Sequence, residues 1–449
     1  MLRSSYFQDL LTSIFERRSN LSKNSNHSEV SAESSDLPSL CQQLLFGKGE
    51  VSEMSTAAEI MRVYRSASTE QKKDFFLLLA NNYDIDLNEV QNRLDTYRRT
   101  GSPKDLSLFL AAAEPARQDI LRRINRAPGA TQHLVKMREE LFSLMKDEVS
   151  LKRVDIDFQH LFSSWFNRGF LVLQPIDWKT PANILEKIIA YEAVHEIDDW
   201  SELRRRLEPS DRRCYAFFHP AIPTEPLIFV EVALTTSIPG AVDAVLSEDR
   251  EHVAEQDAST AVFYSISNCQ KGLRGVSFGN FLIKQVAKEL SLSLPNLNTF
   301  VTLSPIPGFV AWLKRQAEAD ITSRYASVYN DIRSRSPDNR EVAIKAKKRV
   351  LLPIVAHYLL TERHKDGLAA DPVARFHLGN GASLDAIHFE ANMSEKGISQ
   401  SYGMMVNYRY DLAQVEDNHE AYVTRGEISA PAKLYKLAKA KESASQEPQ

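Results

Sequence analysis

Residues 261–312 read AVFYSISNCQKGLRGVSFGNFLIKQVAKELSLSLPNLNTFVTLSPIPGFVAW, and this stretch decides the fold. Ala261–Ser267 is an apolar run rich in β-formers. A loop with three glycines follows: Gly272, Gly275 and Gly279. Past Gly279 the period changes. Phe281, Leu282, Val286 and Leu290 recur close to the helical repeat, which predicts an amphipathic helix. Leu297–Leu303 is strand-like again and stops at Ser304-Pro-Ile-Pro-Gly-Phe309. Strand, glycine loop, helix, strand is a unit that holds a phosphate at a helix N-terminus. Unpaired backbone N–H groups point at the anion there, and glycine lets it come close. The second strand delivers Ser304 to the edge of the same crevice.

Arg274-Gly-Val-Ser-Phe-Gly279-Asn-Phe-Leu-Ile283 resembles the pyrophosphate loop of the acetyltransferase (GNAT) superfamily, which grips coenzyme A. Ser277 stands where that loop usually has the first glycine of its pair. From the glycines alone, an ordinary strand-to-helix turn reads equally well.

Working outward, the chain has 449 residues, 43% hydrophobic and 25% charged, an ordinary globular composition that predicts two or three domains. Its net charge of -4 argues against a large basic nucleic-acid surface. The three cysteines, Cys41, Cys214 and Cys269, are widely spaced and form neither a metal-ligand pattern nor a disulfide framework, as suits a reducing compartment. No apolar run approaches the ~20 residues that cross a bilayer. Met1–Arg18 has amphipathic helical character but no secretory core, and Asp9 and Glu16 argue against a mitochondrial presequence. The chain ends Glu-Pro-Gln, without a peroxisomal address. The expected location is cytoplasmic, with no membrane and no nucleic-acid partner.

The expected organisation is a terminal helix and Ser-rich linker over 1–36, a helical domain over 37–166, a mixed α/β domain over 167–438 and a disordered tail over 439–449. In the helical part, Ser68-Thr-Glu-Gln71 is a capping-box start, and Leu87, Val90, Leu94 and Tyr97 form an apolar stripe closed by Gly101-Ser-Pro103. Nothing there looks like chemistry, and an oligomerisation module fits it. Beyond Asn167, runs such as Gly169–Pro175, Arg213–His219 and Pro226–Leu234 read as strands, with helices at Pro181–Ala193 and Asp199–Leu207. Lys345, Lys347, Lys348 and Arg349 read first as a solvated helix face and second as partners for a phosphate of coenzyme A.

Phe218-His-Pro through Glu225-Pro-Leu, Val232-Ala-Leu-Thr235, Phe263–Ser267, Gly275–Ile283, Leu303–Phe309, Phe376-His-Leu-Gly-Asn-Gly-Ala382 and Asn407-Tyr-Arg-Tyr410 occur in this order in malonyl-CoA decarboxylases, and the chain resembles that family over nearly its whole length. The resemblance implies an all-helical domain, then an acetyltransferase-like (GNAT) mixed α/β catalytic domain, in a homotetramer of paired dimers. It implies conversion of malonyl-CoA to acetyl-CoA and carbon dioxide. It places the catalytic serine on Ser304, the catalytic histidine on His377, and the acyl-CoA loop on Arg274, Gly275, Val276, Ser277, Phe278, Gly279 and Asn280. Some members carry glutamate where this chain has Ser277, so no carboxylate role is carried over there.

The chemistry also stands without the family. A β-carboxy thioester loses carbon dioxide with its electrons passing into the thioester carbonyl, so the transition state has enolate character. It needs donors at that oxygen and a proton for the carbon. The thioester is the electron sink, so no metal and no cofactor are expected; coenzyme A is part of the substrate. His377 suits proton donation, since an ordinary histidine titrates at ~6.5. Ser304, stiffened by Pro305, suits a hydrogen bond to the carboxylate or a proton relay. Backbone N–H groups at Gly275–Gly279 or at Gly379-Asn-Gly381 are candidate oxyanion donors, and Asn380 and Tyr408 are second-tier site residues. His195, His219, His357 and His388 have similar local settings to His377. Two other classes compete: an acyl-CoA N-acyltransferase on the same fold, and a non-catalytic acyl-CoA sensor.

Overall fold

The computed structural model describes residues 36–47, 49–276 and 282–440. It divides into two compact units. Among the described residues, one comprises 36–170 with His219–Pro223 and 270–276; the other comprises Leu171–Phe218, Thr224–Cys269 and 282–440.

The first unit is helical from Leu37 to Trp165. Its helix starts follow the local chemistry. Ser68 accepts from the Gln71 N–H while the Gln71 side chain bonds back to Ser68, closing the capping box at the helix Thr69–Asn82. The core is built on Leu44, Ile60, Phe75, Phe76, Ile120, Leu134, Phe158 and Phe162, all at most 2% exposed. The helices Leu87–Thr100 and Pro103–Ala112 bury no residue, and Leu87 is 72% exposed. The stripe predicted there has the helical period, with Val90, Leu94 and Tyr97 half-buried and Leu87 exposed.

The second unit carries an eight-stranded sheet in the order β1-β2-β3-β4-β5-β8-β6, with β7 also on β8. The strands are β1 Val172–Ile176, β2 Arg212–His219, β3 Ile222–Thr235, β4 Thr260–Asn268, β5 Thr299–Thr302, β6 Ser304–Pro305, β7 Ser383–His388 and β8 Met405–Arg409. β4 and β5 run parallel, with the helix Leu282–Ser293 between them in the chain, as a parallel crossover requires. β8 is antiparallel to β5, β6 and β7. One core cluster holds Ile188, Leu203, Ala216, Phe218 and Phe229; another holds Val262, Tyr264, Val301, Leu303 and Met405.

Two irregularities shape the site. β3 and β4 pair Glu231 with Ser265 and then Val232 with Phe263, so Tyr264 is the extra residue of a β-bulge. The β4–β5 ladder ends at Phe263 and Thr302, and beyond that point the two strands part. Proline at 305 cannot donate to a ladder and holds Ser304 extended, so the short strand β6 leans on β8 instead.

The helix Pro372–Gly379 ends in a tight turn. The Asn380 N–H bonds to the Phe376 and His377 carbonyls, Gly381 N–H to Leu378 and Ala382 N–H to His377. Gly381 has φ of 81°, and a Cβ there would stand 1.9 Å from the Val415 carbonyl oxygen. Gly381→Ala should therefore destabilise the second unit by about 2–4 kcal/mol, from left-handed backbone strain and a clash with main chain. Thermal unfolding checks it: a midpoint equal to wild type would show that the turn relaxes freely.

Candidate active site

Ser304 and His377 meet. Ser304 lies two residues past Thr302, where the β4–β5 ladder ends, and His377 lies in the last turn of the helix Pro372–Gly379. Ser304 Oγ lies 3.0 Å from His377 Nε2, with both residues buried. They face a cavity of about 240 Å³ in the second unit, which opens where β4 and β5 part. Its walls are Tyr264 and Ile266 from β4, Leu303 and Pro305 around the serine, and Val373 and Phe376 from the histidine's helix.

The hydrogen bonds run in one direction. The Ser304 hydroxyl donates to Thr302 Oγ1 at 2.8 Å, and that oxygen also accepts the Tyr408 N–H at 3.2 Å. With its proton engaged, Ser304 Oγ can only accept from His377, which makes Nε2–H the tautomer present. Nδ1 is then an acceptor, and the Tyr410 hydroxyl, 2.9 Å away, donates to it. The order is Tyr410 to His377 to Ser304 to Thr302. The Tyr408 ring stacks on the imidazole, with centroids 4.6 Å apart and planes at 23°. The Asn407 amide donates to the Thr302 carbonyl at 2.7 Å and bonds through its oxygen to His388.

Burial corrects the expectation for His377. The ordinary histidine value does not survive inside the fold, because desolvation of the imidazolium pulls it down to about 3. At neutral pH His377 is an uncharged Nε2–H donor, not a half-protonated imidazole. Burial also pushes the Tyr408 and Tyr410 hydroxyls far above their usual range.

The other predicted residues sort clearly. Asn380 caps its own helix, its amide donating to the Phe376 carbonyl at 2.6 Å, and it does not line the cavity. The N–H groups of Asn380 and Gly381 are spent on helix carbonyls, so this turn offers no oxyanion donor from them. His219 bonds to the Trp165 carbonyl, His357 to Glu362 and His388 to Asn407. His195 is half-buried beside Tyr264 and is held down to about 4, mainly by desolvation. Lys345 and Lys347 pair with Glu390 and Asp331, and Lys348 lies over Phe389. Cys269 is a buried free thiol. Thr302 and Tyr410 went unread in the sequence. Strand alternation carries the signal for both: Thr302 is two residues from Ser304, and Tyr410 two from Tyr408.

Arg274, Gly275 and Val276 belong to the first unit, and Ser277, Phe278, Gly279 and Asn280 lie outside the described residues. Gly275 has φ of 81°. The buried Arg138 donates from one nitrogen to the carbonyls of Gly272 and Arg274, both at 3.0 Å, and Gln159 donates to that of Gly275. Arg274 lies over the Phe142 ring at 4.4 Å, and Arg138 over the same ring at 4.9 Å. Among the described residues no group of three or more His, Cys, Asp or Glu is placed to hold a metal ion, and no helix is long and apolar enough to cross a membrane.

Residues 169–447 match the malonyl-CoA decarboxylase C-terminal domain, and residues 83–166 match the malonyl-CoA decarboxylase N-terminal domain. The mitochondrial malonyl-CoA decarboxylase of the goose Anser anser anser is 35% identical over 412 residues, 83% of this chain and 81% of that protein. The crystal structure of malonyl-CoA decarboxylase from Rhodopseudomonas palustris aligns at a TM-score of 0.85 with 48% identity, covering 89% of this chain and 98% of the other. That from Agrobacterium vitis aligns at 0.84 with 49% identity, covering 90% and 100%.

The depressed value of His377 has a consequence for stability. Between about pH 6.5 and 3 the unfolded chain binds a proton at this position that the folded chain refuses, so stability falls as pH falls through that window. The penalty is at most about 1.4 kcal/mol per pH unit. His377→Gln removes it. The stability gap between wild type and variant should shift in the variant's favour from pH 6.5 to 4, measured by unfolding at each pH. Parallel curves would place a charged imidazole in the fold.

Proposed function

The chain belongs to the malonyl-CoA decarboxylase family, and from that premise we propose that it converts malonyl-CoA to acetyl-CoA and carbon dioxide at the Ser304–His377 pair. The observation that carries this reading is the directed chain of hydroxyls and imidazole ending at the cavity. The acyl end of the substrate enters the cavity, and its carboxylate exchanges the Ser304 oxygen for itself as partner of the Nε2–H or accepts the serine hydroxyl. The largely apolar walls leave that carboxylate poorly solvated, which favours its departure as neutral carbon dioxide.

The carbon–carbon bond breaks and its electron pair moves into the thioester carbonyl. The resulting enolate is a far stronger base than an imidazole nitrogen, so a neutral Nε2–H can protonate its carbon. As that proton leaves, the Tyr410 hydroxyl shifts its own toward Nδ1, so no bare imidazolate is left. One solvent proton restores the pair, and it is the one proton that the overall reaction consumes. No cofactor enters, because the thioester holds the electrons throughout.

Arg274, held on the Phe142 ring, and the Gly275 turn are assigned to the diphosphate of coenzyme A. The N–H groups of Ser277–Asn280 are the remaining candidates for the same anion. The active assembly is proposed to be a homotetramer of paired dimers.

Incubation of the purified protein with carboxyl-labelled malonyl-CoA should release labelled carbon dioxide without an amine acceptor. Acyl transfer to an added amine without decarboxylation would favour an N-acyltransferase, and binding without turnover a sensor. Ser304→Ala and His377→Ala should each lower kcat by about 10²–10⁴-fold. Tyr410→Phe, which leaves Nδ1 without its donor, should lower kcat by about 10–100-fold with little change in KM. Wild-type kcat in any of these variants removes that residue from the scheme.

A further inference from the structure

Asp371 is 1% exposed and lies outside the hydroxyl–imidazole chain. Its two oxygens serve different elements. Oδ1 accepts from the N–H groups of Val373 at 2.9 Å and Ala374 at 3.0 Å, capping the helix that carries His377 six residues on. Oδ2 accepts from the Gly308 N–H at 3.1 Å, with the Tyr358 hydroxyl at 3.5 Å. Gly308 ends the segment Ser304-Pro-Ile-Pro-Gly308, in which two fixed φ angles make a stiff strut from the reacting serine.

The two arms therefore start at one carboxylate and meet again at the 3.0 Å contact between Ser304 Oγ and His377 Nε2. The approach at Gly308 is close. A Cβ there would stand 2.3 Å from the Tyr358 hydroxyl and 3.2 Å from Asp371 Oδ2. Glycine is thus what lets the strut reach the carboxylate. We propose that Asp371 is a positioning residue that sets the separation of Ser304 and His377 by holding the serine's strut and the histidine's helix on its two oxygens.

The inference rests on the assignment of Ser304 and His377 as the reacting pair and adds a residue that touches neither substrate nor reacting atoms. Burial raises the Asp371 carboxyl, and the N–H groups it accepts oppose that shift. The geometry allows the two arms to be separated. In Asp371→Asn the remaining oxygen caps the helix, and the new NH₂ group faces the Gly308 N–H, donor against donor. In Asp371→Ser the hydroxyl still caps the helix but is too short to reach Gly308.

The test measures kcat, KM and thermal unfolding for both variants, alone and combined with Ser304→Ala. Each single variant should fold, keep KM within about threefold and lose about 10–100-fold in kcat, the scale of a misplaced reacting group. In the Ser304→Ala background the same change should cost less than about threefold, because there is no longer a hydroxyl to place. A single-variant kcat within twofold of wild type overturns the proposal. So does a full loss repeated in the Ser304→Ala background, which would mean general damage. If Asp371→Asn fails to fold, Asp371→Ser decides by the same two criteria. If Ser304→Ala itself turns over normally, the assignment of the reacting pair fails and the clamp falls with it. If Ser304→Ala is dead and the Asp371 variants are normal, only the clamp fails.

Discussion

The structure of the site depends on one interruption of a sheet. β4 and β5 pair as parallel strands only as far as Phe263 and Thr302. Pro305 forbids a ladder bond, and the bulge at Tyr264 has already turned the β4 edge. The two strands must part, and the space between them is the cavity. The serine sits at the point of divergence because it is the residue before the proline. Had the β4–β5 ladder continued two residues further, Ser304 would pair with β4 and close the space that it now borders.

Inside that interruption the polar groups are satisfied in sequence instead of by water. Thr302, Ser304, His377 and Tyr410 each find a partner at 3.0 Å or less, and all are buried. A neutral chain of this kind avoids the large cost of burying an ion, but it fixes proton positions tightly. The same burial that lowers the histidine's proton affinity leaves the ring neutral, with its Nε2–H on the Ser304 oxygen beside the cavity. A half-charged imidazole at the surface would hold a more acidic proton, yet it would also be screened and free to rotate.

How far the sequence carried this reading depends on which interactions are local. The strand, loop, helix and strand over 261–303 were legible because the hydrophobic period changes at Gly279. The capping box at Ser68 was legible because it spans three residues. Tyr410 was not, since its role needs β8 beside β5 and β6, a pairing of residues about a hundred positions apart. The state of His377 was not, since desolvation is a property of everything packed around it. Asp371 shows the boundary well. Asp before Pro at a helix start is a readable cap, but the reach of its second oxygen to Gly308 is tertiary. The stripe of Leu87, Val90, Leu94 and Tyr97 shows the same boundary: its period gives the helix Leu87–Thr100, while the depth of its burial depends on what packs against it.

A common logic links two backbone segments, one in each unit. In the first, the buried guanidinium of Arg138 gathers the carbonyls of Gly272 and Arg274 while pairing with Asp155. In the second, the buried carboxylate of Asp371 gathers the N–H groups of Gly308, Val373 and Ala374. A buried charge satisfied by main chain fixes geometry more sharply than one satisfied by another long side chain, because the partner has no rotamers to sample. The choice of sign also matters. In the Arg138 loop the cation takes the carbonyls of Gly272 and Arg274, while the Arg274 and Val276 N–H groups bond to the Lys271 and Leu273 carbonyls. An anion that consumes N–H groups removes donors from its surroundings. Asp371 takes up the N–H groups of Gly308, Val373 and Ala374, so on these two segments those donors are engaged and the Ser304 hydroxyl and His377 imidazole are what they present to the cavity.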